Sequence, residues 1–210
     1  ILKRWYAERK ELQKKLKKAK DAGNAVEIEY WDKRQLVKKI LLNSLYGAIL
    51  NPGCRFFDKR IGQSTTLTGR TIVKHMSAEA NKVITGTYDH VGDAVIYGDT
   101  DSVYFSAYPT LKADIEAGKI PWNTENAITL YDQVSEAVDS TFADMMADSF
   151  HCPKSRSDVI AAGREIVAKS GLYITKKRYA ALVIDNEGFR TDIDGKAGKV
   201  KAMGLDLRRS

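Results

Sequence analysis

Two aspartates near the middle of the chain have a spacing that suits metal binding. Asp99 and Asp101 lie two residues apart in the segment Tyr97–Ser102. In an extended chain both project to the same side of a sheet, where two carboxylates repel each other unless a cation or a proton lies between them. Carboxylate oxygens favour a hard cation such as Mg²⁺, which binds one or two carboxylates together with substrate phosphates. Asp and Gly also form ordinary surface turns, so the segment by itself leaves both interpretations open.

An upstream helical segment carries groups that suit phosphate oxygens. Lys39 and Asn43 are four residues apart and share a helix face, which carries Gln35 one turn earlier. A lysine beside an amide group can hold a phosphate. Tyr46 and Gly47 follow about one turn later, and glycine inside a helix costs about 1 kcal/mol relative to alanine, which indicates close approach of another group. A generic amphipathic helix that breaks near its C-terminus would show the same pattern.

A short basic run lies towards the end of the chain. Lys176, Lys177 and Arg178 are followed by Tyr179, just before a predicted strand. Three adjacent cations beside an aromatic ring suit contact with a nucleic-acid backbone. Short basic runs are also common in solvated loops, so this run alone does not decide the function.

Apolar periodicity predicts the elements that position these groups. Helices are expected over residues 1–22 and 28–50, with Gly23 as a C-cap between them, so they should form an antiparallel hairpin. The remaining predicted segments are a helix over 64–85, a β-hairpin of 94–97 with 102–105, an irregular stretch over 109–123, a helix over 124–150, and strands over 158–168 and 179–184. This order predicts an α+β fold: an antiparallel sheet with packed helices, preceded by an antiparallel helical hairpin.

Composition and charge exclude several classes of protein. The 210 residues are 43% hydrophobic, enough for a core, yet no apolar stretch reaches the roughly 18 residues of a membrane span. Net charge is +7, divided into +9 over residues 1–60, −7 over 61–163 and +5 over 164–210. This layout suits a polyanion handled at both ends of an acidic centre, although solvated helix faces also produce charge runs. The two cysteines form no disulfide framework and the three histidines have no ligand spacing.

Together the motifs resemble those of the family B (alpha-like) DNA polymerases, and among these most of all the replicative polymerases of T-even-like bacteriophages. Lys39–Gly47 resembles the fingers motif, Tyr97–Ser102 the palm motif and Lys176–Tyr179 the primer-binding basic motif. Arg55–Asp58 and Met203–Asp206 strengthen the match. The order and rough spacing of the motifs agree with the family, and the resemblance covers essentially the whole chain.

The resemblance implies an activity and a domain organisation. Residues 1–51 should be the fingers hairpin, and residues 52–210 the C-terminal part of the palm. The family adds a deoxynucleotide from a deoxynucleoside triphosphate (dNTP) to a primer 3′ end and releases pyrophosphate. It uses two Mg²⁺ ions, with Mn²⁺ as a substitute, to activate the primer hydroxyl and stabilise the transition state. The expected partners are primer–template DNA, dNTP and a sliding clamp, with no membrane. The expected compartment is the cytoplasm, that of an infected bacterial host if a phage encodes the chain.

The resemblance also implies roles for single residues. Asp101 should bind the metal ions directly, Asp99 should lie beside them and bind less directly, and Glu165 resembles a carboxylate near the metal site. The residues expected to bind dNTP are Arg9, Lys39, Asn43, Tyr46 and Gly47, the last two against the nascent base pair. The residues expected to bind DNA are Lys176, Lys177, Arg178 and Tyr179.

Two departures from the family pattern bear on activity. The family often has a second lysine one turn after Arg9, whereas this chain has Gln13 with Lys14 adjacent, so the phosphate grip should be shifted or weaker. The family also needs an earlier Asp-x-x-Ser-Leu-Tyr-Pro segment, and these 210 residues contain none. They also lack the family's exonuclease and thumb. The chain should therefore be a piece of a larger or split polymerase, inactive alone, and should need a polypeptide that supplies the missing aspartate, exonuclease and thumb.

Two other classes of function compete with the enzyme. A non-catalytic DNA-binding subunit could retain the polymerase fold, although it would gain nothing from two carboxylates beside a phosphate backbone. A scaffolding subunit would leave Lys39, Asn43 and Tyr46 unexplained. A thermal shift that depends on both Mg²⁺ and dNTP would separate the enzyme from these alternatives.

Overall fold

Six α-helices, one 3₁₀ helix and six β-strands make up the part of the chain that the structure describes. The computed structural model describes residues 1–205, with every side chain except those of Lys154 and Asp158; Asp206, the end of the predicted Met203–Asp206 motif, lies outside the described residues. The elements are α1 (Leu2–Asp21), α2 (Ala25–Leu50), α3 (Lys59–Thr85), β1 (Val95–Asp99), β2 (Ser102–Phe105), α4 (Tyr108–Glu116), α5 (Thr124–Asp139), α6 (Phe142–Phe150), a 3₁₀ helix (Lys154–Val159), β3 (Ile166–Thr175), β4 (Arg178–Asn186), β5 (Phe189–Arg190) and β6 (Lys199–Met203). Two compact units divide the chain, one over Ile1–Thr68 and one from Gly69 onward. No helix within residues 1–205 is long and apolar enough to cross a membrane.

The first unit contains an antiparallel pair of helices, as predicted. Gly23 has a φ of 66° and follows the end of α1, where a left-handed residue satisfies the last carbonyls. The side chain of Asn24 then accepts a hydrogen bond from the backbone N–H of Glu27 and caps α2, which begins at Ala25, three residues before its predicted start. The contacts between the helices run in opposite directions along the chain: an ion pair of Glu8 with Lys38, a 3.4 Å hydrogen bond of Arg9 with Gln35, and Lys15 over the ring of Trp31 at 4.7 Å.

The second unit contains two antiparallel sheets and confirms the predicted α+β class. β1 and β2 form a two-stranded hairpin. β4 is central in the other sheet, with β3 along one edge and β5 and β6 along successive parts of the other. The tips of the two hairpins, β1–β2 and β3–β4, carry the acidic and basic motifs of the sequence.

A small helical core anchors the β1–β2 hairpin. Ala80 of α3, Val134 and Val138 of α5 and Phe142 of α6 are buried together, and Phe105 of β2 packs against them. Burial of side chains of this kind contributes about 1.5–3 kcal/mol each for the larger ones. The core therefore holds the base of the β1–β2 hairpin, whose opposite end, the tip, carries Asp99.

A buried amide positions the chain where it enters β1. The side chain of Asn81 is 2% exposed; it donates to the carbonyl of Thr87 at 2.8 Å and accepts from the N–H of Ala94 at 3.0 Å. Gly92 passes so close that a Cβ there would lie 2.1 Å from the amide nitrogen of Asn81. Glycine is therefore required at this approach.

The stretch predicted as irregular over residues 109–123 contains the helix α4, so that prediction is wrong for residues 109–116. Pro109 lies in the first turn of α4, where backbone N–H groups have no acceptor within the helix. Proline, which lacks an N–H, therefore costs no hydrogen bond there. Pro109 therefore lies at the start of a helix and does not mark irregular chain.

The helix predicted over 124–150 is two helices, because Ser140 and Thr141 interrupt it. The hydroxyl of Ser140 donates to the carbonyl of Ala137, and that of Thr141 to the carbonyl of Val138, both at 2.7 Å. Such side-chain bonds compete with the helical backbone pattern. The new start at α6 directs Phe142, which is 1% exposed, into the core.

The strand predicted over 158–168 is also wrong for most of its length, because β3 begins only at Ile166. The N–H of Ala162 donates to the carboxylate of Asp139 at 2.6 Å, at the end of α5. A backbone donor used in this way is not available to a strand ladder. The chain is therefore irregular through Arg164 and Glu165, and β3 begins after them.

A buried arginine connects α5 to β4. Arg164 is bonded through Nε to Asp132 and through Nη1 to Asp185, both at 2.5 Å. The side chain of Asp185 is only 3% exposed and also accepts the N–H of Gly188 at 3.0 Å. Arg164 thus neutralises a buried carboxylate near the C-terminal end of β4, the central strand of the larger sheet.

His75 should make the second unit sensitive to mild acid. Its ring nitrogens lie 3.0 Å from the hydroxyl of Tyr88 and 2.8 Å from that of Thr141, and burial lowers its pKa below the ordinary 6.5. Below pH 6.5 the unfolded chain therefore binds a proton that the folded chain does not, so stability falls as the pH drops through this window. Between pH 7.5 and pH 5.5, the melting temperature of the unsubstituted chain should fall by more than that of the His75→Gln variant.

The matched control for this pH dependence is His90→Gln, because His90 is about half exposed. The melting temperature of the His90→Gln variant should fall by as much between pH 7.5 and pH 5.5 as that of the unsubstituted chain. An equal loss in the His75→Gln variant would contradict the assignment.

Candidate active site

The acidic motif forms a strained turn at the tip of the β1–β2 hairpin. Asp99 ends β1 and pairs with Ser102 across the ladder, which leaves Thr100 and Asp101 in the turn. The N–H of Asp101 donates to the carbonyl of Asp99 at 2.6 Å, and Thr100 between them has a φ of 53°. A positive φ at a β-branched residue is uncommon, and strained backbone of this kind clusters at functional sites. Because Asp101 lies in the turn, the extended geometry expected for both aspartates applies only to Asp99.

The two carboxylates at the tip differ in their surroundings. The carboxylate of Asp99 is 22% exposed and accepts from the hydroxyl of Thr100 at 2.9 Å and from that of Tyr97 at 3.4 Å. Asp101 is exposed, and no side chain within residues 1–205 bonds to its carboxylate. An exposed carboxylate without a protein partner, beside a second one that is held in place, fits a hard cation such as Mg²⁺.

The basic motif forms the corresponding turn of the β3–β4 hairpin. Thr175 pairs with Arg178, so Lys176 and Lys177 make the turn, and Lys177 has a φ of 60°. The side chains of Lys176, Lys177 and Arg178 are exposed. Tyr179 is only 4% exposed, and its hydroxyl lies 3.0 Å from that of Tyr104. The role of these four residues in DNA binding remains a prediction.

The acidic tip and the basic turn lie beside each other. The backbone N–H of Lys177 donates to the hydroxyl of Tyr97 at 2.8 Å, and its ammonium group lies 3.8 Å from a carboxylate oxygen of Asp99. Gly204 passes under the same turn, with a φ of 61°, and a Cβ there would lie 2.1 Å from the carbonyl oxygen of Lys177. The glycine of the predicted closing motif therefore allows the chain after β6 to approach the basic turn.

Glu165 lies at the edge of a cavity that also reaches the acidic tip. Its carboxylate is 3.2 Å from the ammonium group of Lys201 and 61% exposed. The cavity, of about 620 Å³, is lined by Asp101 as well as Glu165. Within residues 1–205 no three Asp, Glu, His or Cys side chains are grouped closely enough to hold a metal ion. The role of Asp99, Asp101 and Glu165 in metal binding therefore remains a prediction.

The residues predicted to bind dNTP all belong to the first unit. Arg9 of α1 is half-buried against Gln35 of α2. Gln35 lies one helical turn before Lys39, on the same face of α2. Lys39 and Asn43 are exposed, and neither has a side-chain partner among the described residues. Gly47 is exposed as well; a Cβ there would have no neighbour within 4 Å. The predicted close approach at Gly47 would therefore have to come from a group outside the described residues.

Sequence reasoning missed the contribution of Tyr104 and Tyr173 to this region. Burial raises the pKa of Tyr173 to about 12, and burial together with the bond to Tyr179 raises the pKa of Tyr104. A signal was present in the spacing, because Tyr97 and Tyr104 flank the acidic turn at similar distances, as Tyr173 and Tyr179 flank the basic one. Cross-strand pairing of aromatic residues follows from such spacing.

Comparison with known proteins accounts for the combination of motifs. The model of DNA polymerase family B matches residues 1–146. The chain is 31% identical over 188 residues to the DNA-directed DNA polymerase of Escherichia phage RB69. This match covers 84% of the chain and 20% of the phage protein. It is 30% identical over 211 residues to the DNA polymerase alpha catalytic subunit of Oxytricha trifallax, and 27% identical over 209 residues to a DNA polymerase of Pyrococcus glycovorans. Those two matches cover all of this chain but only 11% and 21% of the relatives, so the chain spans about a fifth of their length or less. With the family matched over more than two thirds of its residues, the chain belongs to DNA polymerase family B.

Proposed function

We propose that this chain forms part of a template-directed DNA polymerase that transfers a nucleotide from dNTP to a primer 3′ hydroxyl and releases pyrophosphate. The observation that carries the proposal is the contact between the two hairpin tips, with Lys177 bonded to Tyr97 and 3.8 Å from Asp99. A pair of carboxylates suited to Mg²⁺ thus lies next to exposed cations suited to a phosphate backbone. Chemistry at the end of a bound primer requires both kinds of group at one place.

The proposal gives each hairpin tip a role. Asp101 and Asp99 would hold the metal, and Lys176, Lys177 and Arg178 would contact the primer backbone, with Tyr179 supporting that turn from within. Bound Mg²⁺ would lower the pKa of the primer hydroxyl and stabilise charge on the transferred phosphoryl group. Glu165 would lie near this site, and Mn²⁺ would be accepted in place of Mg²⁺.

The exposed face of α2 would bind the incoming nucleotide. Lys39 and Asn43 offer an ammonium group and an amide that face no described protein group, and Arg9 adds a guanidinium from α1. Such groups suit triphosphate oxygens. Tyr46, with the open space at Gly47, would lie against the nascent base pair.

A strand from another segment would complete the site. Ser102–Ser106 and Glu165–Gly171 are continuous stretches of chain that line the same cavity. Within residues 1–205, β2 pairs only with β1 and β3 only with β4, so each has one unpaired edge. An added strand could use these backbone groups, and an Asp-x-x-Ser-Leu-Tyr-Pro segment would bring its aspartate to the cavity that Asp101 lines.

The missing segment gives a direct test of the function. The 210 residues alone should extend no primer, because they supply only part of the metal site. A mixture with a polypeptide that carries the Asp-x-x-Ser-Leu-Tyr-Pro segment, exonuclease and thumb of a family B polymerase should extend a labelled primer in the presence of Mg²⁺ and dNTP. Gel analysis of primer length would measure both reactions, with the same mixture lacking the 210 residues as the control.

The opposite results separate the competing functions. Extension by the 210 residues alone would show that no partner is needed. Binding of primer–template without extension in any mixture would favour the non-catalytic DNA-binding subunit. A sliding clamp, and the cytoplasm of an infected bacterial host as the compartment, remain part of the proposal for the complete polymerase.

A further inference from the structure

Each of the two hairpins carries a cross-strand pair of tyrosines near its tip. Tyr97 of β1 pairs with Tyr104 of β2, and Tyr173 of β3 pairs with Tyr179 of β4. The first pair flanks the acidic turn and the second flanks the basic turn. Four large side chains are therefore placed symmetrically just behind the two functional tips.

The four rings pack into one cluster. All six pairs of ring centroids are separated by 5.2 to 5.7 Å; the rings of Tyr97 and Tyr179 are stacked on that of Tyr173, and the ring of Tyr104 is tilted against the other three. Gly171 makes room for this arrangement, since a Cβ there would lie 2.7 Å from the ring of Tyr173. These separations are those preferred by aromatic pairs, so each ring is held by the other three.

Tyrosine hydroxyls make the hydrogen bonds that join the two hairpins. The hydroxyls of Tyr104 and Tyr179 lie 3.0 Å apart, and that of Tyr97 accepts from the backbone N–H of Lys177 at 2.8 Å. The two hairpins belong to different sheets with no shared backbone ladder in residues 1–205. Side chains therefore connect the acidic tip to the basic turn, and these four tyrosines contribute both of the hydrogen bonds and all of the ring contacts described above.

We propose that Tyr97, Tyr104, Tyr173 and Tyr179 form a tyrosine clamp, which holds the Asp99–Asp101 tip at a fixed distance from the Lys176–Lys177 turn. The inference rests on the proposed function and adds positioning residues to it. Tyr104 and Tyr173 act through their neighbours and touch neither nucleotide nor metal. The clamp sets the distance between the primer end and the carboxylates, and small errors in such distances cost large factors in rate.

The clamp can be tested first without any enzymatic activity. Tyr104→Phe removes the hydroxyl that bonds to Tyr179 but keeps the ring. In the 210-residue chain, amide hydrogen exchange at residues 98–103 and 175–178 should become about fivefold faster, as expected for the loss of one hydrogen bond. Tyr97→Phe should have a similar effect on the same segments. Tyr108→Phe is the matched control, because its ring is 40% exposed and its hydroxyl has no partner among the described residues.

A double variant tests whether the bond itself is responsible. Tyr104→Phe and Tyr179→Phe remove the same hydrogen bond, so the double variant should exchange no faster than either single one. If the increase in exchange rate in the double variant equals the product of the two single increases, the clamp would be overturned. Exchange in Tyr104→Phe equal to that in Tyr108→Phe would overturn it as well.

The catalytic consequence is tested in the assembled polymerase. Tyr104→Phe should lower kcat about tenfold, with the KM for dNTP and the Kd for primer–template unchanged, because only alignment is altered. An unchanged kcat, or a fall in kcat accompanied by a higher KM and a higher Kd, would overturn the positioning role. If the unsubstituted assembly extends no primer, the proposed function fails together with that role, whereas the exchange measurements still decide whether the clamp holds the two tips.

Discussion

Replacing Asp101 with asparagine should abolish primer extension by the assembled polymerase and leave primer–template binding intact. Asp101 is exposed at a strained turn and its carboxylate has no partner in residues 1–205, so its removal disturbs no described contact. An asparagine amide binds a hard cation far less well than a carboxylate. A metal ion contributes several kcal/mol to the transition state, and a loss of about 4 kcal/mol corresponds to roughly a 10³-fold lower rate.

Single-turnover extension rates and fluorescence anisotropy with labelled primer–template would measure the two properties. Asp93→Asn is the matched control, since it removes the same charge from an exposed position shortly before β1. It should extend primers at the normal rate. Loss of DNA binding in Asp101→Asn would show that the residue is structural, and normal extension would remove it from the metal site.

Replacing Arg164 with methionine should lower the free energy of unfolding by about 3–5 kcal/mol, because it leaves a buried carboxylate unpaired. The side chain of Arg164 is 10% exposed and that of Asp185 3%, so water screens this pair weakly. Asp132, at 45% exposure, can be solvated without Arg164 and adds less to the cost. Urea denaturation of the 210-residue chain, followed by circular dichroism, would measure the change.

Two further variants show whether the unpaired charge is the cause. Arg70→Met removes an exposed arginine of α3 and should leave the denaturation midpoint unchanged. Adding Asp185→Asn to Arg164→Met removes the unpaired charge, so the double variant should recover part of the lost stability. A double variant that is less stable than Arg164→Met would contradict this explanation.

Local sequence rules predicted most of the elements but missed those decided by single hydrogen bonds. The long helices α1, α2 and α3 and the β1–β2 hairpin follow from apolar periodicity and from turn residues such as Gly23. The break before α6 depends on the hydroxyls of Ser140 and Thr141, and the late start of β3 on the bond from Ala162 to Asp139. Periodicity carries no information about which of several donors a carboxylate will accept.

The sequence by itself determined which chemical groups the chain offers: the aspartates of the acidic tip, the cations of the basic turn, and the lysine and amide of α2. These follow from residue type and short spacing, and they were enough to indicate a family B polymerase. Only the tertiary structure decided that Lys177 lies beside Asp99, that Tyr179 is buried against Tyr104, and that β2 and β3 line one cavity. These contacts join residues about 75 positions apart, and their geometry results from packing, since no local propensity acts over that separation.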